Sequence, residues 1–422
     1  MANETLKTIV AFYDKALEQI NKDTTMARMV EVDTVEGSTL QNANNIYWRN
    51  VDQQSPVIEG WDLTGDETEI IEQGYPLRLE EPKNDFVQLR VDELRDRGFM
   101  DRRVRSSASK LSTDQNNRIA ALVGRTGSIY YESSTPGWDY VAEAGTILGE
   151  RQANVDAGMS FFMNDRNYQR MGSDLASRGT LDGRPETAYG TSGVGRDVAG
   201  FDLYKSSYNP QLTARLNATA GAVDGDQLFV PEGFTTVGDS VQNVDYRLAE
   251  VALASGNGAN FQLGDVVTFA GVNALGVTDK IDTGELMTFK VIAIDTDTIS
   301  IYPKPIAPDQ AGITPEQAAY ANVTAPLLDT TAVNKVNTTS GKSDIFWAND
   351  SICIVNGGAP LETLNEFDGM KVVSETLDSG VRLHMAYDAS LSTMNCRVRL
   401  FTWYGLTNKD PSRNGTAIYT GS

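Results

Sequence analysis

Histidine and cysteine are nearly absent from this 422-residue chain, which has one histidine, His384, and two cysteines, Cys353 and Cys396. That scarcity removes most familiar catalytic and metal chemistry. A Ser–His–Asp or Cys–His centre needs its imidazole in a cleft beside a nucleophile. His384 instead lies in an alternating, strand-like run, VRLHMAY, with no nucleophile elbow near it. No His/Cys cluster has the spacing of zinc ligands. No P-loop signature occurs, and GVGRDVAG has the wrong spacing for a dinucleotide loop. DTDTIS (Asp295–Ser300) resembles part of a calcium loop but lacks its glycine and terminal glutamate. The cysteines fall in separate strand-like runs, SICIV and NCRVRLF, and are expected to be buried free thiols. Neither an enzyme nor a cofactor nor a bound metal is expected.

Positive charge is also short. Lysine and arginine number 36 against 57 acids, so the net charge is 36 − 57 = −21. An acidic surface repels duplex DNA and anionic membranes, which argues against a dedicated nucleic-acid reader and leaves room for basic partners. No apolar run approaches the length of a membrane span. The first residues show no apolar core followed by a small-residue cleavage site, so a secretory leader is not expected.

What is present is organised around the stretch Asp92–Tyr131. Val104, Ala108, Leu111, Gln115, Ile119 and Leu122 recur at helical spacing. Asp92 is the expected N-cap, and Gly98 is expected to break or bend the first turns. Gly124 and Gly127 are expected to stop the helix. About 30 helical residues would reach roughly 45 Å. Before it, Asn3–Asn21 places Leu6, Ile9, Tyr13, Ala16, Leu17 and Ile20 on one face, the pattern of a short amphipathic arm. Residues 30–89 read as a long hairpin whose tip, Glu59–Glu69, holds five acids. No lysine occurs between Lys22 and Lys83.

After the long helix, Trp138–Arg151 and Asp165–Ser177 read as helices, and GMSFFMN and FDLYKSSY as strands, a mixed α+β pattern. From Val223 to Pro303 helical periodicity fades. Runs such as LGDVVTFAGV and LMTFKVIAI read as a small antiparallel barrel or sandwich, with 3 basic and 12 acidic residues, a net of 3 − 12 = −9. Strand-like runs resume at Asp344 and are expected to complete the sheet begun before residue 218. The β-rich stretch therefore reads as an insertion.

The runs IYWRNVDQQSPVIEGWDLTG, EEPKNDFVQLRVDELRD and RRVRSSASKL, with MSFFMNDRNYQ, VAGFDLY, GDVVTFAGV, ITPEQAAYANV, IFWANDSICIV and LFTWYG, occur in this order. Together they resemble the major coat proteins of tailed double-stranded DNA phages of the Salmonella phage P22 type. The resemblance implies an α+β Hong Kong 97-type capsid fold. It divides the chain into an N-terminal arm (1–33), an extended loop with peripheral strands (34–91), a spine helix (92–130), an axial domain (131–221 and 341–422) and an inserted β-barrel domain (222–340). It implies assembly with copies of itself as hexamers and pentamers, a scaffolding protein and a portal, in the host cytoplasm, into an icosahedral procapsid. That shell expands as double-stranded DNA is packaged, without sequence-specific binding and without a membrane. Some relatives of this fold cross-link the extended loop through lysine; a loop without lysine implies a non-covalent shell.

On that reading the charged residues take roles. Glu4, Asp14 and Glu18 are candidates for recruiting a basic scaffold segment. Glu59, Trp61, Asp62, Asp66, Glu67 and Glu69 are candidates for inter-subunit contact through the extended loop. Arg95, Arg97, Arg102, Arg103 and Arg105 are the candidate basic partners, and Glu232, Asp239, Asp245 and Arg247 the candidate contacts of the insertion. Two rival readings are a nanocompartment shell of the same fold and a secreted β-rich carbohydrate-active enzyme. The first would need a cargo-binding arm, and the second a leader and an acid pair in a cleft.

Overall fold

The computed structural model describes residues 2–34, 46–50, 61, 73–90, 93, 96–153, 158–177, 197–217, 219–232, 236–237, 240–241, 244–357, 370–390 and 395–421. Two compact units are each built from separated stretches of chain.

The first unit comprises Met1–Tyr47, Leu77–Ile119 and Ile352–Thr407. Its centre is a four-stranded antiparallel sheet in the order Met370–Thr376, Arg382–Ser390, Asn395–Thr402, Lys83–Arg90. Register is fixed by rows such as Asn84, Phe401, His384, Ser374. One face buries Leu89, Val398, Leu400, Leu383 and Met385, which alternate along their strands, and the opposite face buries His384, Phe401 and Val372. The N-terminal helix Ala2–Asp23 buries Phe12, Tyr13, Ala16 and Ile20, and the Tyr13 hydroxyl donates to the Leu383 carbonyl at 2.7 Å. A small second sheet pairs Glu31–Thr34 in parallel with Ile352–Asn356, which also neighbours Tyr404–Asn408.

The spine helix runs Arg97–Thr126, 30 residues. Val104, Ala108, Leu111, Gln115 and Ile119 are buried, the face read from the sequence. At its start Asp96 accepts a hydrogen bond from the Gly98 N–H at 2.9 Å, and Gly98 lies within the helix rather than breaking it. Asp92, the expected N-cap, lies outside the described residues. A carboxylate satisfies the free N–H groups of a first turn only from immediately before it, and Asp96 holds that place. At its end Gly124 is helical, and the helix stops after Thr126, immediately before Gly127 as expected, where the Gly127 N–H reaches the Val123 carbonyl at 2.9 Å.

The second unit comprises Trp48–Pro76, Ala120–Ser351 and Asn408–Ser422. Its five-stranded sheet has the order Ile129–Ser133, Asn414–Tyr419, Asp344–Ala348, Met159–Met163, Asp202–Lys205. Helices Trp138–Glu150 and Asp165–Ser177 contribute to its aromatic core of Tyr131, Tyr140, Phe161, Phe201 and Phe346. Asn164 caps the second helix by accepting from the Asn167 N–H at 3.0 Å. The expectation that every strand after Asp344 completes this sheet needs correction. Among the described residues only Asp344–Ala348 and Asn414–Tyr419 join it. The strands of residues 370–402 pair instead with Lys83–Arg90, in a register that places Val87 opposite Val398 and Leu89 opposite Cys396.

In sequence between Asp202–Lys205 and Asp344–Ala348 of the second unit lies a six-stranded sheet, ordered Ala249–Ala252, Thr298–Tyr302, Phe289–Asp295, Val266–Phe269, Ala332–Lys335, Thr219–Ala222. All of their pairings are antiparallel. The two edges then meet. Asp224 N–H donates to the Ala252 carbonyl at 3.0 Å and Ala254 N–H to the Ala222 carbonyl at 2.9 Å, closing a barrel and removing its free edges. Phe269, Phe289, Val251, Ile299, Ile301 and Val333 fill it. DTDTIS is the Asp295–Thr298 hairpin turn, and Asp297 accepts from the Gly256 and Gly258 N–H groups at 2.9 and 3.1 Å. Its carboxylate thus serves the fold.

Candidate assembly surfaces and the ionic anchors behind them

On the N-terminal helix, Asp14 and Glu18 are exposed, one turn apart. Glu18 has a neighbour the sequence reading did not weigh: the Lys22 ammonium donates to it at 2.6 Å. That hydrogen bond and the accompanying charge hold the Glu18 carboxyl below its usual range. Asp14 is therefore the less compensated of the two acids. The side chain of Glu4 lies outside the described residues.

Of the five candidate arginines, Arg102 and Arg105 are exposed along the spine helix. Arg103 is engaged within its own chain, donating to Asp85 at 3.0 Å, so it is not free for a neighbour. The side chains of Arg95 and Arg97 lie outside the described residues. So do Glu59, Asp62, Asp66, Glu67 and Glu69 of the extended loop, at whose base Ile46–Asn50 pairs with Gly74–Arg78. Trp61 is described and is wholly exposed, at 107% of its reference area. An indole left entirely in water is unusual, because aromatic side chains gain most by burial.

In the barrel, Glu232 is exposed with its carboxylate 3.6 Å from Lys304, and Asp239 lies outside the described residues. Asp245 is partly exposed, whereas Arg247 turns inward from the surface expected for it. Arg247 is buried, bridges Asp245 at 2.9 Å, and stacks its guanidinium 4.4 Å from the Tyr75 ring centroid. It also donates to the carbonyls of Asn408 and Lys409 at 2.7 and 3.1 Å. Arginine suits this place because its planar fork serves several acceptors at once.

Other anchors escaped the sequence reading. Lys290 is buried, donates to Thr416 Oγ1 at 2.8 Å and lies over Tyr130; burial pushes its ammonium down to about 7. The signal was LMTFKVIAI itself, where apolar residues cluster rather than alternate, so the strand's first residues are buried on both faces. Asp344 is buried and accepts from Tyr140 Oη at 2.9 Å, the Asn164 N–H at 2.6 Å and Asn167 Nδ2 at 2.5 Å. Burial raises its carboxyl to about 6, against the pull of those donors. Arg413 bridges Asp350 and Asp410, each at 2.8 Å. Cys353 and Cys396 are buried thiols outside any disulfide, as read. His384 is buried, with Nδ1 2.6 Å from Ser374 Oγ and its ring stacked on Phe401. Among the described residues no group of acids, histidines and cysteines is placed to hold a metal ion, and no helix is long and apolar enough to cross a membrane.

A family model described as P22 coat protein, gene protein 5, matches residues 1–419. The chain belongs to the P22 coat protein family. This coat protein is thus a phage major capsid protein, a non-enzymatic structural component of the virion capsid that assembles with copies of itself. Solved structures similar to it include one from Mycobacterium phage Che8, at 12% identity and a TM-score of 0.43, covering 94% of this chain and 92% of that one. The capsid of cyanophage P-SCSP1u matches at 10% identity and a TM-score of 0.42, covering 93% and 87%. The CUS-3 coat protein I-domain matches at 25% identity and a TM-score of 0.22, covering 29% of this coat protein and all 100% of that chain.

Proposed function

We propose that this coat protein builds an icosahedral procapsid with a scaffolding protein and a portal, and that the shell then encloses double-stranded DNA held without sequence-specific contacts. The supporting observation is Trp61. A fully exposed indole beside five acids gains burial only when another surface covers it. A loop tip of this kind leaves the monomer dispersed and contributes in the lattice, where weak contacts repeat. Exposed ion pairs supply about 0–1 kcal/mol each, so Arg102 and Arg105 of a neighbouring copy are suitable partners for the tip only in number. A net charge of −21 suits a wall that does not trap the DNA passing it. The barrel is proposed as an inserted domain, and Asp14 with Glu18 as part of the scaffold-recruiting surface.

Deleting Glu59–Glu69 tests this reading. The variant is expected to remain a folded monomer by circular dichroism and to yield no stable particles by sedimentation. Normal particles from the deletion would remove the tip from the set of assembly contacts.

A further inference from the structure

The second unit encloses a cavity of about 380 Å³ that none of the assembly surfaces uses. Its walls come from the end of helix Trp138–Glu150, from barrel loops, and from the turn Asp410–Arg413. Six cations line it, Arg151, Arg247, Lys280, Lys304, Lys409 and Arg413, against the carboxylates Asp350 and Asp410. In a chain with 57 acids and 36 bases, such a wall is the reverse of the average surface.

Several of these cations are already answered. Arg247 is bridged by Asp245, Arg413 by Asp350 and Asp410, and Lys304 faces Glu232 at 3.6 Å. Lys280 donates to the Ala321 carbonyl at 3.0 Å and feels Asp279. Arg151 differs. It is only 7% exposed, its Nη1 donates to Ser128 Oγ at 3.2 Å, and no carboxylate among the described residues forms an ion pair with it. Burial pushes its guanidinium down to about 10. A guanidinium carries five N–H donors in a planar fork. Arg151 lines the cavity, its bond to Ser128 leaves donors of the fork for a ligand, and a buried charge with no ion-pair partner among the described residues is costly.

The backbone also fixes this arrangement. The Val277 N–H donates to the Arg151 carbonyl at 2.8 Å, and Lys280 N–H to the Gly276 carbonyl at 3.2 Å. Gln152 Oε1 accepts from the Asp279 N–H at 3.2 Å. The turn bearing Lys280 is thereby stitched to the helix end bearing Arg151.

We propose that this cavity binds a small tetrahedral oxyanion of the phosphate class, with Arg151 as principal ligand and Lys280 as the second. An arginine fork matches two oxygens of such an anion at once, and a nearby ammonium supplies a point charge for a third. A cavity of about 380 Å³ has room for a free oxyanion or for a small molecule that carries a terminal phosphate.

The test uses the full-length coat protein monomer. Unfolding by urea is followed at fixed pH and ionic strength while chloride is exchanged for inorganic phosphate. Saturable stabilisation is expected, and at ten times Kd the folded-to-unfolded ratio should rise about eleven-fold. Arg151→Gln should abolish the response. Should that variant fail to fold, Lys280→Gln decides: it should need about ten-fold more phosphate for the same effect. A response that never saturates, or one equal in the wild type and Lys280→Gln, overturns the site. Adenosine triphosphate in place of phosphate separates the sources. Stronger protection assigns a terminal phosphate, and no protection assigns the free ion.

Discussion

His384 shows how much one side chain ties this fold to pH. Burial, and after it the charge of Arg382, lowers its pKa from 6.5 to about 4. The group's folded pKa is depressed, and the neutral ring is the folded form. Its contribution is full above pH 6.5 and is lost as pH falls through about 4. Linkage sets the loss on the order of 3 kcal/mol. Asp344 runs the opposite way: its pKa is raised to about 6, so its contribution is full below 3.8 and is lost as pH rises through about 6. The two overlap between pH 4 and 6, so total stability hides both. His384→Phe isolates the histidine. Urea unfolding from pH 7 to 4.5 should show a shallower acid loss for the variant, and equal pH slopes would remove His384 from the account. The exposed acids act on binding instead. Asp14→Lys with Glu18→Lys is expected to weaken scaffold binding and flatten its salt dependence, because exposed charges are screened over about 8–10 Å. The monomer's melting temperature should stay nearly unchanged. A titration at two salt concentrations checks this, and unaltered affinity and salt slope count against recruitment. Since Glu18 already holds Lys22, most of the effect should persist in Asp14→Lys alone.

Among the elements, the spine helix was the most legible. Its apolar face was set by spacing, which the finished structure keeps from Val104 to Ile119. Its ends were less legible: Gly127 marks the stop, but Gly98 and Gly124 are helical, because a helix tolerates an interior glycine at a cost of about 1 kcal/mol. Gly124 has another use. A Cβ there would lie 2.8 Å from Pro210 Cγ, a stiff ring atom. Gly124→Ala would normally gain about 1 kcal/mol of helix propensity. Here it should instead destabilise the protein by about 1–3 kcal/mol, the usual cost of overpacking. The urea midpoint should fall with an unchanged m value; a rise would show that Pro210 yields freely. The strands of the barrel were readable in number and sense but not in their ionic anchors. Lys290 sits between Phe289 and Val291, and nothing local says that Thr416 and Tyr130 wait on its other side.

At the scale of the whole molecule, composition alone separated the barrel from its surroundings, but not its limits. The closing strand begins at Thr219, so a fragment cut at residue 222 loses part of an edge. A fragment of residues 217–340 is expected to give dispersed amide signals by NMR, whereas one of 222–340 should be less stable. Both lack the carbonyls that receive Arg247 and the hydroxyl that receives Lys290, so both should melt below the intact coat protein. A collapsed spectrum from the longer fragment would contradict independent folding. The grouping of residues 352–407 with the first unit was invisible in sequence, since strand runs carry no address for partners some 300 residues away. The placement of strand Asn414–Tyr419 between Ile129–Ser133 and Asp344–Ala348 has a consequence in time. On the ribosome, strand Ile129–Ser133 emerges 414 − 129 = 285 residues before its partner. At ~5–20 residues per second it waits roughly 15–60 s with an open edge. Translation therefore acts as a clock: a nascent chain can present a finished second unit only after residue 419 has emerged.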